Sequence, residues 1–393
     1  MSAASYNTLI VDLDALRDNY LAVSQRLTAA TRIMVVVKAD AYGHGLVSAA
    51  RAFAQAGAGC FGVGEAGEGV RLREAGILGE IVLLSGMNPR DAAEVVVRDL
   101  SPVVYDRADL AELSRQALRR GKVAAVHLEL DVGMRRRGLP PAAIGQLTMA
   151  IHALPGLRLA GIMAHFPLAD VAGTEEQCRE HWRQFSAVAE TLRAGCSPGL
   201  QPPALHIANS AALLRFPWAH HDLVRPGISL YGYDNYDGYA PAEAPADPAN
   251  CSPLPLVPAM SLRSRILQVQ EIAAGSGVSY GHRFITNRPT LLAVLPLGYA
   301  HGYPRGVGAG AEALIGGRRV PVRGAICMSV CMVEVNDVPG VAPGDEVVLL
   351  GRQGQEFIGA DEIASRHGTI SYEILCRLGM MNKRVYQEKA KEK

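Results

Sequence analysis

The chain of 393 residues is too long for one ordinary hydrophobic core, so two domains are expected. A hydrophobic fraction of 49% with 20% charged residues is typical of a folded globular protein and excludes a disordered one. The net charge of +1 argues against a nucleic-acid partner, and no run approaches the roughly 18 apolar residues of a membrane span.

Seven cysteines are scattered along the chain without a CxxC pair. Cys327 and Cys331 have the wrong spacing and too few companions for a zinc site, so no metal is expected. Reduced thiols and a cytoplasmic location are the expectation. The N-terminal residues 1–7 lack the basic and apolar regions of a signal peptide, which agrees with that location.

The first predicted element is an amphipathic helix, with Asp12 as its candidate cap. Its apolar face recurs at three- and four-residue steps, at Leu13, Leu16, Tyr20, Val23 and Leu27.

The next stretch, Ile33–Val37, is a β-branched apolar run that predicts a strand buried on both faces. Lys38 stands where this strand ends, and a cation there is costly unless something pairs with it or uses it. Two interpretations stay open on this stretch alone. Either the ammonium group reaches solvent along its apolar stem, or Lys38 is a desolvated amine of lowered pKa that forms a Schiff base.

Seven further short apolar runs alternate with helix-like segments such as Glu68–Ala75 and Ala108–Arg120. The runs are Cys60–Gly64, Glu80–Ser85, Ser101–Tyr105, Ala124–Leu130, Leu159–His165, Ala204–Ala208 and Leu223–Leu230. With the Lys38 strand they predict an α/β fold with an N-terminal (β/α)8 TIM barrel. An open doubly wound sheet is the structural alternative, but it usually carries a glycine-rich fingerprint after its first strand, which this sequence lacks.

Polar residues collect at the predicted carboxyl ends of these strands, where barrel enzymes build their active sites. They are Lys38 and Tyr42 after the first strand, Met134 and Arg136 after the fifth, His165 after the sixth, Asn209 and Ser210 after the seventh, and Arg225 and Gly227 at the eighth. This set predicts a pocket for a charged small molecule.

The composition changes sharply after residue 237, with six prolines in Pro241–Pro258. Strand-like runs follow at Met260–Ile272, Thr290–Leu297, Glu312–Pro321, Cys327–Val335 and Asp345–Leu350, with a possible short helix at Glu362–Arg366. The predicted organisation is a barrel at 1–240, a proline-rich linker at 241–258 and a C-terminal all-β domain at 259–393. Residues 1–10 are candidates to pair with that domain, and the charged end Met380–Lys393 is interpreted as solvated.

Nine motifs extend from one end of the chain to the other: Val37–Gly45, Asp131–Gly138, Met163–Phe166, His206–Ala212, Arg225–Gly232, Val278–Gly281, Leu295–Tyr299, Cys327–Met328 and Thr369–Glu373. In their order and spacing they resemble the alanine racemase family. The resemblance implies a pyridoxal 5'-phosphate enzyme that interconverts L-alanine and D-alanine, supplying D-alanine for peptidoglycan. It also implies a head-to-tail homodimer with shared active sites.

The same resemblance implies a role for each candidate site residue. Lys38 would hold the cofactor and act as base on one face of the substrate, and Tyr280 of the second subunit would act on the other. The cofactor-binding set is Lys38, Tyr42, His165, Asn209, Ser210, Arg225, Gly227, Ile228 and Tyr372. Arg136 and Met328 would meet the substrate carboxylate. Because an arginine cannot accept a proton, Arg225 would leave the pyridine nitrogen neutral, although a strand-end ion pair is an alternative role for it.

Three positions depart from the family pattern. Glu129 stands where many relatives have a carbamylated lysine, and Ser329 and His301 stand where an aspartate is common. Strand alternation places His127, Glu129 and Asp131 on one face, so Glu129 would supply a fixed negative charge without modification.

Other activities on related folds are weighed against these residues. A racemase of broader range, accepting serine or basic amino acids, is the nearest alternative, and Tyr372 favours a small side chain instead. Decarboxylases of the same fold favour a glycine-rich phosphate loop that this sequence lacks. Single-barrel pyridoxal-phosphate-binding proteins lack the second domain that carries Tyr280.

Overall fold

The computed structural model describes residues 5–195, 201–234, 236, 254–308 and 310–388. Most of the predicted linker, residues 241–253, lies outside the described residues, as do residues 389–393 of the predicted solvated end.

The strands are numbered in chain order. They are β1 Thr8–Asp12, β2 Arg32–Val36, β3 Cys60–Val63, β4 Glu80–Leu83, β5 Ser101–Val104, β6 Ala124–Glu129, β7 Leu157–Met163, β8 Ala204–His206, β9 Leu223–Val224, β10 Met260–Arg265, β11 Gln268–Ile272, β12 Gly277–Val278, β13 Phe284–Ile285, β14 Thr290–Leu295, β15 Glu312–Ile315, β16 Arg318–Arg323, β17 Cys331–Glu334, β18 Glu346–Gln353, β19 Glu356–Ile358 and β20 Arg384–Gln387. The right-handed helices are Leu13–Ser24, Leu46–Gln55, Ala66–Glu74, Ala92–Val97, Arg107–Arg119, Pro141–Ala153, Glu175–Ala194, Ser210–Arg215, Ala360–His367 and Ser371–Met381.

Strands β2 to β9 form the predicted barrel. Neighbouring strands pair in parallel in the order β8-β7-β6-β5-β4-β3-β2-β9. Backbone hydrogen bonds from Asp222 to Leu205 (3.1 Å) and from Arg225 to Ala208 (2.9 Å) close the ring. The α/β barrel prediction is therefore confirmed. The eighth strand is shorter than predicted, because the chain enters a 3-10 turn at Ile228–Tyr231 instead of continuing as a strand.

The first helix has the predicted cap and face. Oδ1 of Asp12 accepts hydrogen bonds from the backbone N–H groups of Asp14 (2.9 Å) and Ala15 (3.0 Å). Four of the five predicted apolar residues lie in this helix and are buried: Leu13, Leu16, Tyr20 and Val23. Leu27 comes after the helix has ended. Among the described residues, no helix is long and apolar enough to cross a membrane.

The C-terminal half builds a second sheet, in the order β11-β14-β17-β16-β15-β18-β10-β1-β20, with β19 beside β18. The predicted strand Met260–Ile272 is in fact two strands, β10 and β11, which lie far apart in this order. β1 pairs antiparallel with β10, so the N-terminal strand joins the second sheet. Two helices, Ala360–His367 and Ser371–Met381, complete this half, and the second of them was not predicted.

The charged C-terminal end contains a strand that the sequence did not predict. Arg384–Gln387 is a strand that pairs in parallel with β1. It is an edge strand whose side chains are mostly exposed, so its composition resembles that of a solvated tail. Its backbone pairing, and not apolar burial, makes it part of the fold.

Candidate active site

A cavity of about 590 Å³ opens at the carboxyl ends of the barrel strands. Its walls bring together ten of the predicted site residues: Lys38, Tyr42, Arg136, His165, Asn209, Ser210, Arg225, Gly227, Ile228 and Tyr372. The other two predicted site residues, Tyr280 and Met328, are described by the structure but do not line this cavity.

Lys38 lies at the start of a left-handed turn that follows β2. Residues 39–42, named here the lysine turn, have φ between 53° and 56°, although none of them is glycine. A left-handed residue with a side chain costs roughly 1–2 kcal/mol, so such a turn persists only where its surroundings hold it. The sequence gives no signal for this conformation, because the glycines usual at positive φ come only later, at Gly43 and Gly45.

Asp40 anchors the lysine turn to its surroundings. Its Oδ1 accepts from the backbone N–H of Leu46 (2.9 Å), and Arg384 donates to its other carboxylate oxygen. Arg384 also donates to the carbonyl of Gly43 (3.0 Å). Burial by itself raises the pKa of Asp40, but the Leu46 hydrogen bond and the charge of Arg384 hold it below its usual value. The edge strand β20 therefore clamps the turn that carries Lys38.

The helix Ser371–Met381 packs against the same turn through two glycines. A Cβ at Gly379 would overlap the backbone of Gly43, and a Cβ at Gly43 would overlap the carbonyl of Leu375. This close approach brings Tyr372 and Cys376, one helical turn apart, into the cavity wall. The sequence analysis identified Tyr372 and missed Cys376, although the helical spacing of the two residues was the available signal.

The side of the cavity near Ser210 is a set of hydroxyl and backbone donors. Ser210 Oγ accepts from the backbone N–H groups of Gly227 (2.9 Å) and Ser229 (3.3 Å). A Cβ at Gly227 would overlap the hydroxyl of Tyr42, so only glycine leaves this space open. Burial raises the pKa of Tyr42, which keeps its phenol a neutral donor. Such a cradle suits a phosphate group.

Asn209 precedes Ser210 and caps the short helix Ser210–Arg215. Its side chain accepts from the backbone N–H of Ala212 (3.0 Å). This bond fixes the start of the helix and therefore the position of the Ser210 hydroxyl.

Arg225 is almost fully buried, at 4% exposure, beneath the cavity. Its guanidinium donates to Nδ1 of His206 (2.9 Å), to Nδ1 of His165 (3.3 Å) and to the carbonyl of Ala164 (2.6 Å). Burial lowers the pKa of Arg225 to about 10, which still leaves it charged at neutral pH. Burial and the charge of Arg225 lower the pKa of His165, so His165 is neutral and its Nδ1 is an acceptor.

The amine of Lys38 is half-buried beside two cations. Burial, followed by the charges of Arg136 and Arg225, lowers its pKa from the ordinary value of a lysine. All three effects act against the charged form, so the neutral amine is present at lower pH than in a solvated lysine. A neutral amine is what a Schiff base or a proton acceptor requires.

Glu129 supplies a buried carboxylate to the same cavity, at 3% exposure. The hydroxyl of Tyr105 donates to its Oε2 (2.6 Å), and the guanidinium of Arg137 lies over the Tyr105 ring at 4.2 Å. Arg136 lines the cavity and is exposed, where it can meet an anionic substrate. The sequence analysis identified Glu129 and Arg136 but missed the contribution of Tyr105.

Tyr280 lies in a loop of the second domain and is 70% exposed. Ser279, just before it, has φ 62° and ψ −171°, a combination that residues with side chains rarely adopt. The Ser279 hydroxyl donates to the carbonyl of Ala325 (2.7 Å), which ties this strained loop to the neighbouring one. Gly324 has φ +73°, and a Cβ there would lie 2.7 Å from the carbonyl of Val278, so this approach requires glycine.

Met328, the second predicted site residue outside the cavity, lies in the loop that neighbours the Tyr280 loop. Met328 is 59% exposed, and its carbonyl accepts from the backbone N–H of Ala300 (2.9 Å). Nδ1 of His301 accepts from the backbone N–H of Gly298 (3.2 Å). His301, which stands where relatives commonly have an aspartate, therefore closes the turn against which this loop packs. Ser329, the other such position, is exposed.

Comparisons with known proteins agree with this architecture. The family profile described as "Alanine racemase, N-terminal domain" matches residues 11–235, and "Alanine racemase, C-terminal domain" matches residues 259–386. The chain belongs to the alanine racemase family. The family resemblance drawn from the sequence motifs is thus confirmed.

Individual relatives in this family match almost the whole chain. The alanine racemase of Symbiobacterium thermophilum is 40% identical over 376 residues, which cover 96% of each chain. The crystal structure of alanine racemase from D-cycloserine-producing Streptomyces lavendulae has a TM-score of 0.87 at 33% identity and covers 98% of each chain. The Bacillus anthracis alanine racemase structure with bound L-Ala-P has a TM-score of 0.84 at 30% identity, covering 99% of this chain and 97% of that one.

Proposed function

We propose that Lys38 and Tyr280 act as two bases on opposite faces of one substrate, and that Tyr280 comes from a second copy of the chain. The chain is an isomerase, and its reaction is the interconversion of L-alanine and D-alanine. That reaction removes a weakly acidic α-proton and returns a proton on the other face, so one base on each face accounts for both directions.

The cavity fits pyridoxal phosphate, the cofactor that this family implies. The hydroxyls of Tyr42 and Ser210 and the space beside Gly227 suit its phosphate, and Lys38 supplies the amine for its aldehyde. When bound, the cofactor supplies an electron sink for the pair of electrons left at the substrate α-carbon. Arg225 would donate a hydrogen bond to the ring nitrogen of the cofactor without transferring its proton, so that nitrogen would stay unprotonated.

The residues of this chain would divide the remaining work. The lowered pKa of Lys38 makes its neutral amine available to accept a proton on the face that it lines. Arg136 would hold the substrate carboxylate by charge-assisted hydrogen bonds and fix the α-proton within reach of the bases. Tyr372, in the cavity wall, would leave room for a side chain as small as a methyl group.

A head-to-tail homodimer belongs to the same proposal. The observation that carries it is the position of Tyr280, exposed on the second domain and absent from the described walls of the cavity around Lys38. Met328 is exposed on the adjacent loop, so one contact with a partner would deliver both residues. A cytoplasmic location is also proposed, and the five described free cysteines agree with it.

Subunit mixing tests this proposal directly. Lys38→Ala and Tyr280→Phe homodimers are each expected to be nearly inactive. If each site combines Lys38 of one subunit with Tyr280 of the other, a mixed dimer contains one intact site and one site lacking both bases. Random exchange of equal amounts then restores about a quarter of the wild-type activity per subunit.

The control and the contradicting result use the same mixture. Mixing each variant with itself under the same exchange conditions restores nothing. If both bases of a site come from one chain, no mixed dimer has an intact site. Absence of restored activity after verified subunit exchange would therefore overturn the shared-site proposal.

A further inference from the structure

A chain of buried polar side chains crosses the barrel interior below the cavity. Arg225 contacts Nδ1 of His206 (2.9 Å), Nε2 of His206 contacts Nδ1 of His127 (3.1 Å), and Nε2 of His127 contacts Oε1 of Glu80 (3.2 Å). His206 and His127, named here the histidine bridge, are 0% and 1% exposed. The bridge links the cavity end of the barrel to its opposite end, where Glu80 begins β4.

The direction of these hydrogen bonds follows from the arginine. A guanidinium can only donate, so Nδ1 of His206 is an acceptor and carries no proton. His206 therefore has its proton on Nε2 and donates it to Nδ1 of His127. Since Nδ1 of His127 is an acceptor, the proton of this ring is on Nε2, from which it donates to Glu80. Both rings of the bridge are then neutral.

The opposite end of the bridge agrees with this direction. Burial by itself raises the pKa of Glu80, but the hydrogen bonds from His127 and Arg32 and the charge of Arg32 lower it. An ionised carboxylate can only accept hydrogen bonds. A donor-only group at one end and an acceptor-only group at the other thus select one arrangement of protons.

The barrel is shaped to admit the bridge. Gly161 lies in β7 between the two histidine-bearing strands, and a Cβ there would overlap Nδ1 of His127 and lie 2.9 Å from Nε2 of His206. Most other side chains inside the barrel are apolar, among them Met34, Val82, Val103 and Leu223. Interior polar groups in such surroundings are costly unless each is paired, and each atom of the bridge is paired.

We propose that Glu80 is a positioning residue for racemisation, which acts through the histidine bridge to hold Arg225 in place against the cofactor ring. The inference rests on the proposed function, since it needs the cofactor nitrogen to face Arg225. Without an acceptor at position 80, Nε2 of His127 is a buried donor with no partner. His127 then turns or changes tautomer, His206 loses its own acceptor, and the guanidinium loses the firm contact at His206.

Three variants separate this role from a general effect on the fold. Glu80→Leu removes the acceptor and fills the space of the carboxylate with an apolar side chain. A smaller residue would not serve, because Glu80 lines a cavity of about 420 Å³ from which a water molecule could take the place of the carboxylate as acceptor. Glu80→Gln keeps an acceptor oxygen on a side chain of the same length. Arg32→Gln is the matched control, because Arg32 pairs with the other oxygen of Glu80 (3.1 Å) and does not contact the bridge.

The measurements are kcat and KM for both alanine enantiomers, the affinity of the apoenzyme for pyridoxal phosphate, and ¹⁵N spectra of the labelled histidines in the apoenzyme. Glu80→Leu is expected to lower kcat about tenfold in both directions, with KM for alanine changed less than twofold. Its spectra are expected to lose the Nε2–H tautomer of His127 or His206. Glu80→Gln and Arg32→Gln are expected to stay within about twofold of the wild type and to keep the wild-type tautomers.

Two results would overturn the proposal. One is a Glu80→Leu enzyme with wild-type kcat and tautomers, even if its melting temperature falls. The other is an equal loss of kcat in Arg32→Gln, which would assign the effect to the charge balance at that end of the barrel. If the wild-type apoenzyme fails to bind pyridoxal phosphate, the proposed function fails, and the tautomers in the apoenzyme still report on the bridge.

Discussion

Lys38 and Tyr280 both lie beside backbone in positive-φ conformations, but their surroundings are opposite. The lysine turn is enclosed by β20 and the helix Ser371–Met381, and Lys38 faces a cavity assembled within one chain. The Tyr280 loop is tied back mainly through Ser279, and the tyrosine ring itself is 70% exposed. In the proposed mechanism one base is therefore positioned by its own chain, whereas the other is exposed, where a second copy of the chain could use it.

Under the shared-site proposal, folding of one chain completes the surroundings of Lys38, and assembly of two chains brings Tyr280 to them. Folding of one chain is sufficient to lower the pKa of Lys38, since burial, Arg136 and Arg225 all belong to the same barrel. Nothing comparable surrounds Tyr280 in the described part of one chain. Changes near Lys38 should therefore affect cofactor, pH dependence and stability, whereas changes near Tyr280 should affect one direction of proton transfer.

The largest effect is expected from Lys38→Ala. It removes both the cofactor attachment and one base, so activity falls by roughly 10⁴-fold or more. The absorption band of the lysine-bound cofactor should also disappear. Lys122→Ala is the matched control, since Lys122 pairs with Asp99 away from the cavity. A retained covalent band in Lys38→Ala would reject the assignment.

Arg136→Gln is expected to have the next largest effect. Loss of a charge-assisted contact to the substrate carboxylate raises KM roughly tenfold to a hundredfold. Loss of a neighbouring positive charge also raises the pKa of Lys38, because that charge now holds it down. A base works only when deprotonated, and Lys38 is a free amine only once substrate is bound, so the acidic limb of the kcat profile against pH moves to higher pH.

Arg135→Gln is the control for that experiment. Arg135 is exposed, pairs with Asp131 and does not line the cavity, so both KM and the pH profile should stay unchanged. An acidic limb that moves to lower pH in Arg136→Gln would contradict the electrostatic account of Lys38.

Asp40→Asn weakens the clamp on the lysine turn. Loss of the charged contact with Arg384 is expected to lower the free energy of unfolding by about 1–2 kcal/mol, because the pair is only partly buried. Urea unfolding measures this change, with the exposed Asp18→Asn as the control. Because Lys38 is less firmly positioned, kcat should fall about threefold in both directions. Unchanged stability would mean that β20 does not hold the turn.

Ser279→Ala is expected to have the most local effect. It removes the hydrogen bond to the carbonyl of Ala325 and the weaker contact with Sγ of Cys327 (3.4 Å), and so loosens the Tyr280 loop. A loss of about 1 kcal/mol corresponds to roughly a fivefold lower rate of proton removal from one enantiomer only. Ser276→Ala, at the base of the same β12–β13 hairpin, serves as control, because the carbonyl of Ser276 accepts from the backbone N–H of Thr286 (2.9 Å) and a change of its side chain leaves that bond in place. An equal slowing of proton removal from both enantiomers would contradict a local effect on Tyr280.

Much of the barrel could be predicted from the pattern of apolar residues in the sequence. Alternating apolar runs predicted the eight barrel strands, and the polar residues at their ends are those that the structure gathers around Lys38. Those predictions succeeded because burial on both faces makes each barrel strand a short, continuous apolar run. The role of each site residue came from the family resemblance and stays a prediction.

The features that sequence analysis missed depend on contacts between distant segments. The strand Arg384–Gln387 has an exposed, charged composition and is defined only by its pairing with β1. The left-handed conformation of residues 39–42 is imposed by Arg384 and by the helix that packs on Gly43. The partners of His127 are likewise set by Gly161 and by Glu80, 47 positions away. No local pattern encodes these contacts.

Exchange of the α-proton in Tyr280→Phe distinguishes two bases on opposite faces from a single base. Each enantiomer of alanine is incubated in D₂O with the variant, and deuterium at the α-carbon is measured at early times, with Tyr6→Phe as the control because Tyr6 is an exposed tyrosine outside the cavity. We expect the cofactor to stay bound. Exchange should continue from the enantiomer whose α-proton faces Lys38, and exchange from the other enantiomer should fall by roughly 10²-fold or more. An equal loss of exchange from both enantiomers would contradict two bases on opposite faces.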